Sequence, residues 1–411
     1  MKSALATLQE RGFIQQCTDL EALDRRMAKE SVTFYVGLDP TGPSLHVGHL
    51  VQLFAMAHLA EAGHKPIALI GGGTARIGDP SGKTEMRQLD PVETIQANAE
   101  RMRKQVQTFL DNKTVEATVV DNAEWLVDLN YLEFLRDIGK HFSVNRMLSF
   151  ETYKARMETG LSFIEFNYQL LQSYDFLVLH DRHNCLLQIG GNDQWGNIVS
   201  GSDLIRRVRG RETFGLTSPL VTRADGQKMG KTEQGAIFLD PEMCSPYEFF
   251  QYWRNVPDQD VARFLKLYTF LPVEEIQRLA NLKDKEINQA KEILARELTT
   301  IVHGADEANR ALQAARAAFQ KSNADASALP QMEISQTELE SGLRAVDLFS
   351  RTELCSSKGE ARRLIEQGGA RVNETKVPDI ETVLDRSWLS ENELLLRAGK
   401  KRYFRVIVQD E

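Results

Sequence analysis

Two short motifs in this 411-residue sequence carry residue types suited to phosphate chemistry. His46-Val47-Gly48-His49 stands where an apolar run and its loop hand over to a helix-patterned stretch. Two imidazoles three residues apart share one face of a first helical turn, where free N–H groups and the positive end of the helix dipole attract anions. Gly48 leaves the backbone open to a nucleotide, and the imidazoles suit phosphate oxygens whose charge grows in a transition state. Taken alone, such a motif also describes two surface histidines; the strand before it and the helix after it favour the phosphate reading. About 180 residues later, Lys228-Met229-Gly230-Lys231-Thr232 places two lysines around a glycine hinge. A mobile loop of that kind can close on a pyrophosphate leaving group, although a lysine pair in a polar loop is commonly just solvated.

Three further stretches bear on a small-molecule site. In FNYQLLQSYDF, Tyr168, Gln172 and Asp175 fall at i, i+4 and i+7, one stripe of a helix with apolar neighbours. Polar groups in a buried stripe need partners, from the protein or from a polar ligand. GGNDQWGN, residues 190 to 197, follows a strand and suits close approach by a ribose, with Asp193 or Gln194 as side-chain partner. GGGTARIGDPSGKT imitates a phosphate-binding P-loop, but only three residues separate Gly78 from Gly82 where four are needed. Arg76 stands where a GxGxxG motif requires its last glycine, so a dinucleotide dehydrogenase is disfavoured as well.

The elements that would position these groups alternate. Val32 to Leu38 reads as a strand ending in Asp39-Pro40-Thr41-Gly42-Pro43, a loop. A helix-patterned run then ends at Gly63, and a second strand, Ile67 to Ile70, leads into three glycines. Val115 to Val120 and Cys185 to Ile189 are further strands. This alternation predicts an α/β fold, a Rossmann-like doubly wound parallel sheet over residues 1–225, with ligands beyond the carboxyl ends of the strands. Strand signals fade after about residue 240; 226–321 reads as the signature loop and a helical domain, 322–342 as a linker, and 343–411 as a small α+β module.

Composition excludes several classes. No stretch approaches the roughly 18 apolar residues of a membrane span, and the charged N-terminus lacks a secretion signal's apolar core, so a cytoplasmic chain without membrane contact is expected. The four cysteines lie far apart in no zinc or disulfide spacing. The formal net charge is −8, yet residues 343–411 hold 13 Lys/Arg against 12 Asp/Glu, leaving 37 against 46 before them. A near-neutral tail on an acidic body suits a separate module.

Together, HVGH and KMGKT resemble the two signatures of class I aminoacyl-tRNA synthetases. YVGLDPTGPSLHVGH, GDPSGK, KHFSVN, YQLLQSYD and GGNDQWGN, in this order, resemble the bacterial-type tyrosyl-tRNA synthetases over nearly the whole chain. The resemblance implies ATP-dependent activation of tyrosine and its transfer to tRNA(Tyr). Tyr35 and Asp175 match the pair that bonds the substrate phenol, and Asp79, Tyr168 and Gln172 match the groups around the α-ammonium. Gln194 matches a residue near the carboxylate. Gly37, Asp39, Gly48, Gly191 and Asp193 match positions around ATP and the adenylate. Thr41, His46, His49, Lys83, Arg87, Lys228 and Lys231 match the set around the phosphates, Lys231 also counting among the ATP contacts. Gly230 and Thr232 replace the serines of the general second signature. Val36 stands where some relatives have a cysteine that contacts ribose, and cannot make that hydrogen bond.

Mg2+ is expected with ATP, bridging phosphates, since the sequence shows no dedicated metal cage. VDLFSRTELCSSKGEARRLIEQGGARVNETKV, from Val346, resembles the RNA-binding module shared with ribosomal protein S-four, with Arg362, Arg363 and the Lys400-Lys401-Arg402 cluster facing phosphates. The family is homodimeric, which implies an interface over residues 129–149. Two alternatives remain at this point: the tryptophan member of the same class, and a non-catalytic RNA-binding descendant of a synthetase.

Overall fold

The computed structural model describes residues 3–81, 89–222, 224, 229–232, 235–320, 329–390, 392–399 and 402–409, the side chains of 231, 232, 235 and 317–320 excepted. The chain divides into two compact units: Met1–Met243 with Asn255–Leu294, and Cys244–Arg254 with Ala295–Glu411.

The first unit is built on a six-stranded sheet of β1 (Gln16–Cys17), β2 (Thr33–Leu38), β3 (Lys65–Ile70), β4 (Thr118–Asp121), β5 (Cys185–Gly191) and β6 (Phe214–Ser218), in the spatial order β1-β6-β5-β2-β3-β4. All neighbours are parallel except β1, which runs antiparallel to β6 at the edge. The order turns back between β2 and β5. With right-handed crossovers, the two halves wind in opposite senses from that seam, which opens a crevice at the carboxyl ends of the strands. The parallel α/β architecture read from the sequence therefore holds. The expected strand over 115–120 begins only at Thr118, and β6 and β1 carry no pattern strong enough to announce them. Strand β6 is five residues with a glycine in it, and β1 is two.

Five helices matter to the site: α1 (Leu50–Glu61), α2 (Val92–Asn112), α3 (Glu151–Thr159), α4 (Phe163–His183) and α5 (Trp195–Arg209). Eight apolar side chains of α1 are buried on more than one face, which is why it runs through the core rather than over it. Ser162 and Glu165 form a capping box that starts α4, and Asn184 in the left-handed region (φ 52°) ends it. Alternate residues Tyr35 of β2 and Ile67 and Leu69 of β3 pack against Phe176, Leu177 and Leu179 of α4.

In the second unit, helices Pro246–Arg254 and Ala305–Gln320 pack together. A five-stranded sheet follows, ordered Thr375–Lys376, Ala370–Val372, Glu393–Ala398, Arg402–Gln409, Gln331–Ser335. Gln331–Ser335, read from the sequence as linker, is an edge strand parallel to Arg402–Gln409. Its polar and small residues satisfy an edge position, where one face and one side meet water. The helix Lys358–Glu366 begins at Ser357, whose side chain accepts from Glu360 N, and leaves Arg362 and Arg363 exposed.

Candidate active site

Most described candidates lie at the carboxyl ends of the strands or on the helices around them, with Tyr35 within β2 and Lys231 in a separate hairpin. Asp39 and Thr41 follow β2, whose Gly37 is its one exposed residue. Asp79 lies beyond β3, Gly191 ends β5, and Asp193 and Gln194 form the turn into α5. Lys83, Arg87 and Lys228 lie outside the described residues.

His46 is the N-cap of the single turn Val47–His49 that leads into α1. Gly48 N donates to His46 Nδ1 at 3.0 Å, and His46 N donates to His49 Nδ1 at 3.1 Å. The two rings lie 4.1 Å apart, inclined by 33°. Because each Nδ1 accepts a backbone hydrogen bond, the proton of each neutral ring sits on Nε2. Burial, with His46 beside it, pushes the His49 pKa down to about 3, so this imidazole is a neutral donor. The shared face expected from the three-residue spacing is present; the tautomers are what the fold adds. A Cβ on Gly48 would lie 2.7 Å from His46 Cε1, so glycine is needed for the ring to fold over its own turn.

The second signature meets the first directly. Residues 237–239 run beside 45–47: Val47 N donates to Ile237 O at 3.0 Å, Leu239 N to Leu45 O at 2.8 Å, and His46 and Phe238 form an antiparallel bridge. Ile237 N in turn donates to Gly230 O at 2.9 Å. Gly230 adopts φ 79°, and a Cβ there would lie 2.7 Å from Val47 Cγ2 and 3.5 Å from Gly48 N. Lys231 opens the hairpin of β7 (Lys231–Thr232) and β8 (Gly235–Ala236). The glycine hinge between the two lysines thus rests on the HVGH turn.

At the same ends of the strands lies a cluster of carboxylates with polar neighbours. Asp175 is 2% exposed; Asn122 Nδ2 donates to one of its oxygens at 2.9 Å and Trp125 Nε1 to the other at 2.8 Å. Burial pushes its pKa up to about 8 against the pull of those two bonds, with Asp39 and Asp121 adding repulsion. Tyr35 is 1% exposed, and its hydroxyl has no hydrogen-bond partner among the described residues. Burial first, and then the charge of Asp175, push the Tyr35 pKa well above its usual value. Tyr168 Oη donates to Asp39 Oδ2 at 2.7 Å, while Thr74 Oγ1 donates to Asp39 Oδ1 at 2.8 Å. A chain of amides closes the other wall: Gln194 Nε2 donates to Asp79 Oδ2 at 2.7 Å, and Asn197 Nδ2 donates to Gln194 Oε1 at 3.1 Å and Gln172 Oε1 at 2.9 Å.

Sequence reading did not find Asn122, Trp125, Thr74 or Asn197. The usable signal was position: Asn122 and Trp125 directly follow β4, at the same end of the sheet as Asp39 and Gly191.

Comparison with known proteins follows the same lines. The model for tRNA synthetases class I (W and Y) matches residues 27–320, and that for a tyrosine–tRNA ligase SYY-like C-terminal domain matches 323–406. The chain is 57% identical to the tyrosine–tRNA ligase of Treponema denticola, over 99% of this chain and 100% of that one. It is 52% identical to that of Acetivibrio thermocellus, over 99% of each. This chain belongs to the tyrosine–tRNA ligase family. Among solved structures, a C-terminally truncated mitochondrial tyrosyl-tRNA synthetase of Aspergillus nidulans is similar, with TM-score 0.71 and 32% identity over 77% of this chain and 94% of that one. Membership carries the activity: the chain is an enzyme, an ATP-dependent ligase joining tyrosine to tRNA. The tryptophan and non-catalytic alternatives fall away with it.

The raised pKa of Asp175 sets a pH dependence for the substrate-free ligase. Folding favours its protonated form, so its contribution to stability is fully present below about pH 4 and is lost as pH rises through about 8. Asp175→Asn removes that loss. Melting temperatures of wild type and variant should diverge in the variant's favour between pH 5 and 8.5; parallel curves would contradict the assignment.

Proposed function

We propose that the carboxylate-lined pocket takes the whole tyrosine molecule. Tyr35 and Asp175 bind the phenol, Asp79, Tyr168 and Gln172 surround the α-ammonium, and Gln194 lies near the carboxylate. The observation that carries this reading is the buried Tyr35 hydroxyl without a partner among the described residues, close to a carboxylate held by two donors. A phenol oxygen accepts from Tyr35 while its proton goes to Asp175, and this added donor draws Asp175 toward its charged form. Phenylalanine leaves the Tyr35 hydroxyl without a partner, at about 1–3 kcal/mol, and gives Asp175 no donor beyond Asn122 and Trp125.

The adenylate lies across Gly37, Asp39, Gly48, Gly191 and Asp193. His46 and His49 donate from Nε2 to phosphate oxygens, joined by Thr41, Lys83, Arg87, Lys228 and Lys231. The tyrosine carboxylate attacks the α-phosphorus in line, a C–O–P linkage forms, and the bond to pyrophosphate breaks. The terminal ribose hydroxyl of tRNA(Tyr) then attacks the activated carbonyl, and AMP leaves with the bonding pair, its phosphate taking up the hydroxyl proton. An ionised carboxylate needs no general base in the first step, so positioning and electrostatic stabilisation supply the acceleration. ATP enters as its Mg2+ complex, with phosphates as the ion's chief ligands; among the described residues, no three His, Cys, Asp or Glu side chains converge on one point.

Residues 129–149 form the contact of a homodimer on this reading. Tyr131, Leu132 and Val144 are more than half exposed there, an unusual concentration of apolar surface. The module from 343, behind the 226–321 and 322–342 segments, holds tRNA through Arg362 and Arg363, with Arg402 also exposed; Lys400 and Lys401 lie outside the described residues. No described helix is long and apolar enough to cross a membrane, and the proposed site of action is the cytoplasm, where tRNA is charged.

Three measurements test this assignment. Lys231→Ala should slow adenylate formation by about 10²-fold or more while changing tyrosine affinity little, because it acts on charge that develops only in the transition state; equal losses in both would remove that role. Asp175→Ala should cut discrimination against phenylalanine by about 10- to 100-fold in pyrophosphate exchange, and unchanged selectivity would count against the phenol site. Replacing Arg362 and Arg363 by alanine should raise KM for tRNA by about tenfold and steepen none of the pyrophosphate-exchange parameters.

A further inference from the structure

We propose that α3, locked to α4 by the buried Arg156–Glu165 pair, is a brace that sets the spacing between the tyrosine pocket and the adenylate-binding turn. The inference rests on the residue assignments just proposed for those two half-sites.

The pair is unusually dry. Arg156 is 1% exposed and Glu165 3%. Arg156 Nη2 donates to both carboxylate oxygens at 3.1 Å and to the Gly160 carbonyl at 2.9 Å, while Nε reaches Oε1 at 3.3 Å. Nη1 donates to Thr159 Oγ1. A buried ion pair contributes little net stability compared with apolar residues of the same size, because desolvation offsets the attraction. What a planar guanidinium fork does supply is a fixed geometry.

That geometry is passed to the tyrosine pocket. The same Glu165 carboxylate accepts from Ser162 N at 3.1 Å and Ser162 Oγ at 2.8 Å, so it also sets the first turn of α4. Tyr168 lies three residues further along, on the same face, with its hydroxyl on Asp39. Tyr153 of α3 donates to the Phe166 carbonyl at 3.2 Å, and their rings lie 5.6 Å apart.

The other end of α3 meets the adenylate side. Thr152 Oγ1 donates to the Asp193 carbonyl at 3.3 Å. Phe150, the N-cap of α3, packs so closely on Gly196 of α5 that a Cβ there would lie 2.9 Å from its ring. Nine residues of helix therefore connect the start of α4, which carries Tyr168 and Gln172, with the turn that carries Asp193 and Gln194. On those assignments the first group holds the α-ammonium and through it the attached carboxylate, while in the second Asp193 meets the adenylate and Gln194 lies near the carboxylate. Their separation decides whether carboxylate oxygen and α-phosphorus meet in line, and an error of about 1 Å in such a placement can cost on the order of 10²-fold in rate.

The test uses the full-length enzyme in tyrosine-dependent pyrophosphate exchange, with concentrations set by titrating active sites through the adenylate they form. Glu165→Gln should raise KM for tyrosine by about tenfold and lower the rate per active site by about tenfold, with KM for ATP within about twofold of wild type. Thr152→Val, which loses only the bond to Asp193, should lower the rate per site about threefold with KM for tyrosine unchanged. A purely structural role would reduce the number of active sites and leave these per-site constants at wild-type values, and that result would overturn the brace. If Glu165→Gln does not fold, Thr152→Val and Tyr153→Phe decide: wild-type rates per site in both overturn the proposal. Asp79→Asn separates the underlying assignment, because an unchanged KM for tyrosine there defeats the pocket itself. A raised KM in Asp79→Asn beside wild-type behaviour in Glu165→Gln defeats the brace alone.

Discussion

The backbone ladder between residues 45–47 and 237–239 is the contact on which the catalytic arrangement depends. It brings chain segments nearly two hundred residues apart within hydrogen-bond distance, and it seats Gly230 on the turn that carries His46 and His49. The HVGH and KMGKT motifs, far apart in the chain, are brought together through that pairing. Loop closure over such a distance has an entropic cost, but one that grows only logarithmically with length. The parallel sheet between the two segments offsets it through the apolar surface it buries.

The carboxylate cluster obeys a different constraint, the expense of leaving polar groups dry. Asp39, Asp79 and Asp175 all act on Tyr168, and Asp39 repels Asp175. Each is given donors: Tyr168 and Thr74 for Asp39, Gln194 for Asp79, Asn122 and Trp125 for Asp175. The Tyr35 hydroxyl has no partner among the described residues, and burial raises the pKa of Asp175 despite its two donors. On the proposed reading, these carboxylates match an ammonium ion and the Tyr35 hydroxyl matches a phenol.

Helix α1 and its entry turn show how stability and chemistry share one element. Its apolar residues are buried and anchor the helix, while its entry turn carries the two half-buried imidazoles. Burial holds His49 neutral, which suits a hydrogen-bond donor to phosphate better than a proton source whose charge would vary with pH.

Much of this was legible in the residues themselves. The alternation of apolar strands and helix-patterned runs determined a parallel α/β sheet, because each element must bury one face and the periods 2 and 3.6 mark which. The order HVGH, YQLLQSYD, GGNDQWGN, KMGKT determined the family, and the i, i+4, i+7 spacing of Tyr168, Gln172 and Asp175 located a hydrogen-bonded polar stripe of α4. Tertiary structure alone decided that Asn122 and Trp125 hold Asp175, that both histidines carry their proton on Nε2, and that residues 331–335 form an edge strand rather than a tether. Those facts depend on partners distant in the chain, and local spacing carries no information about which donor a folded backbone will bring to a buried acceptor.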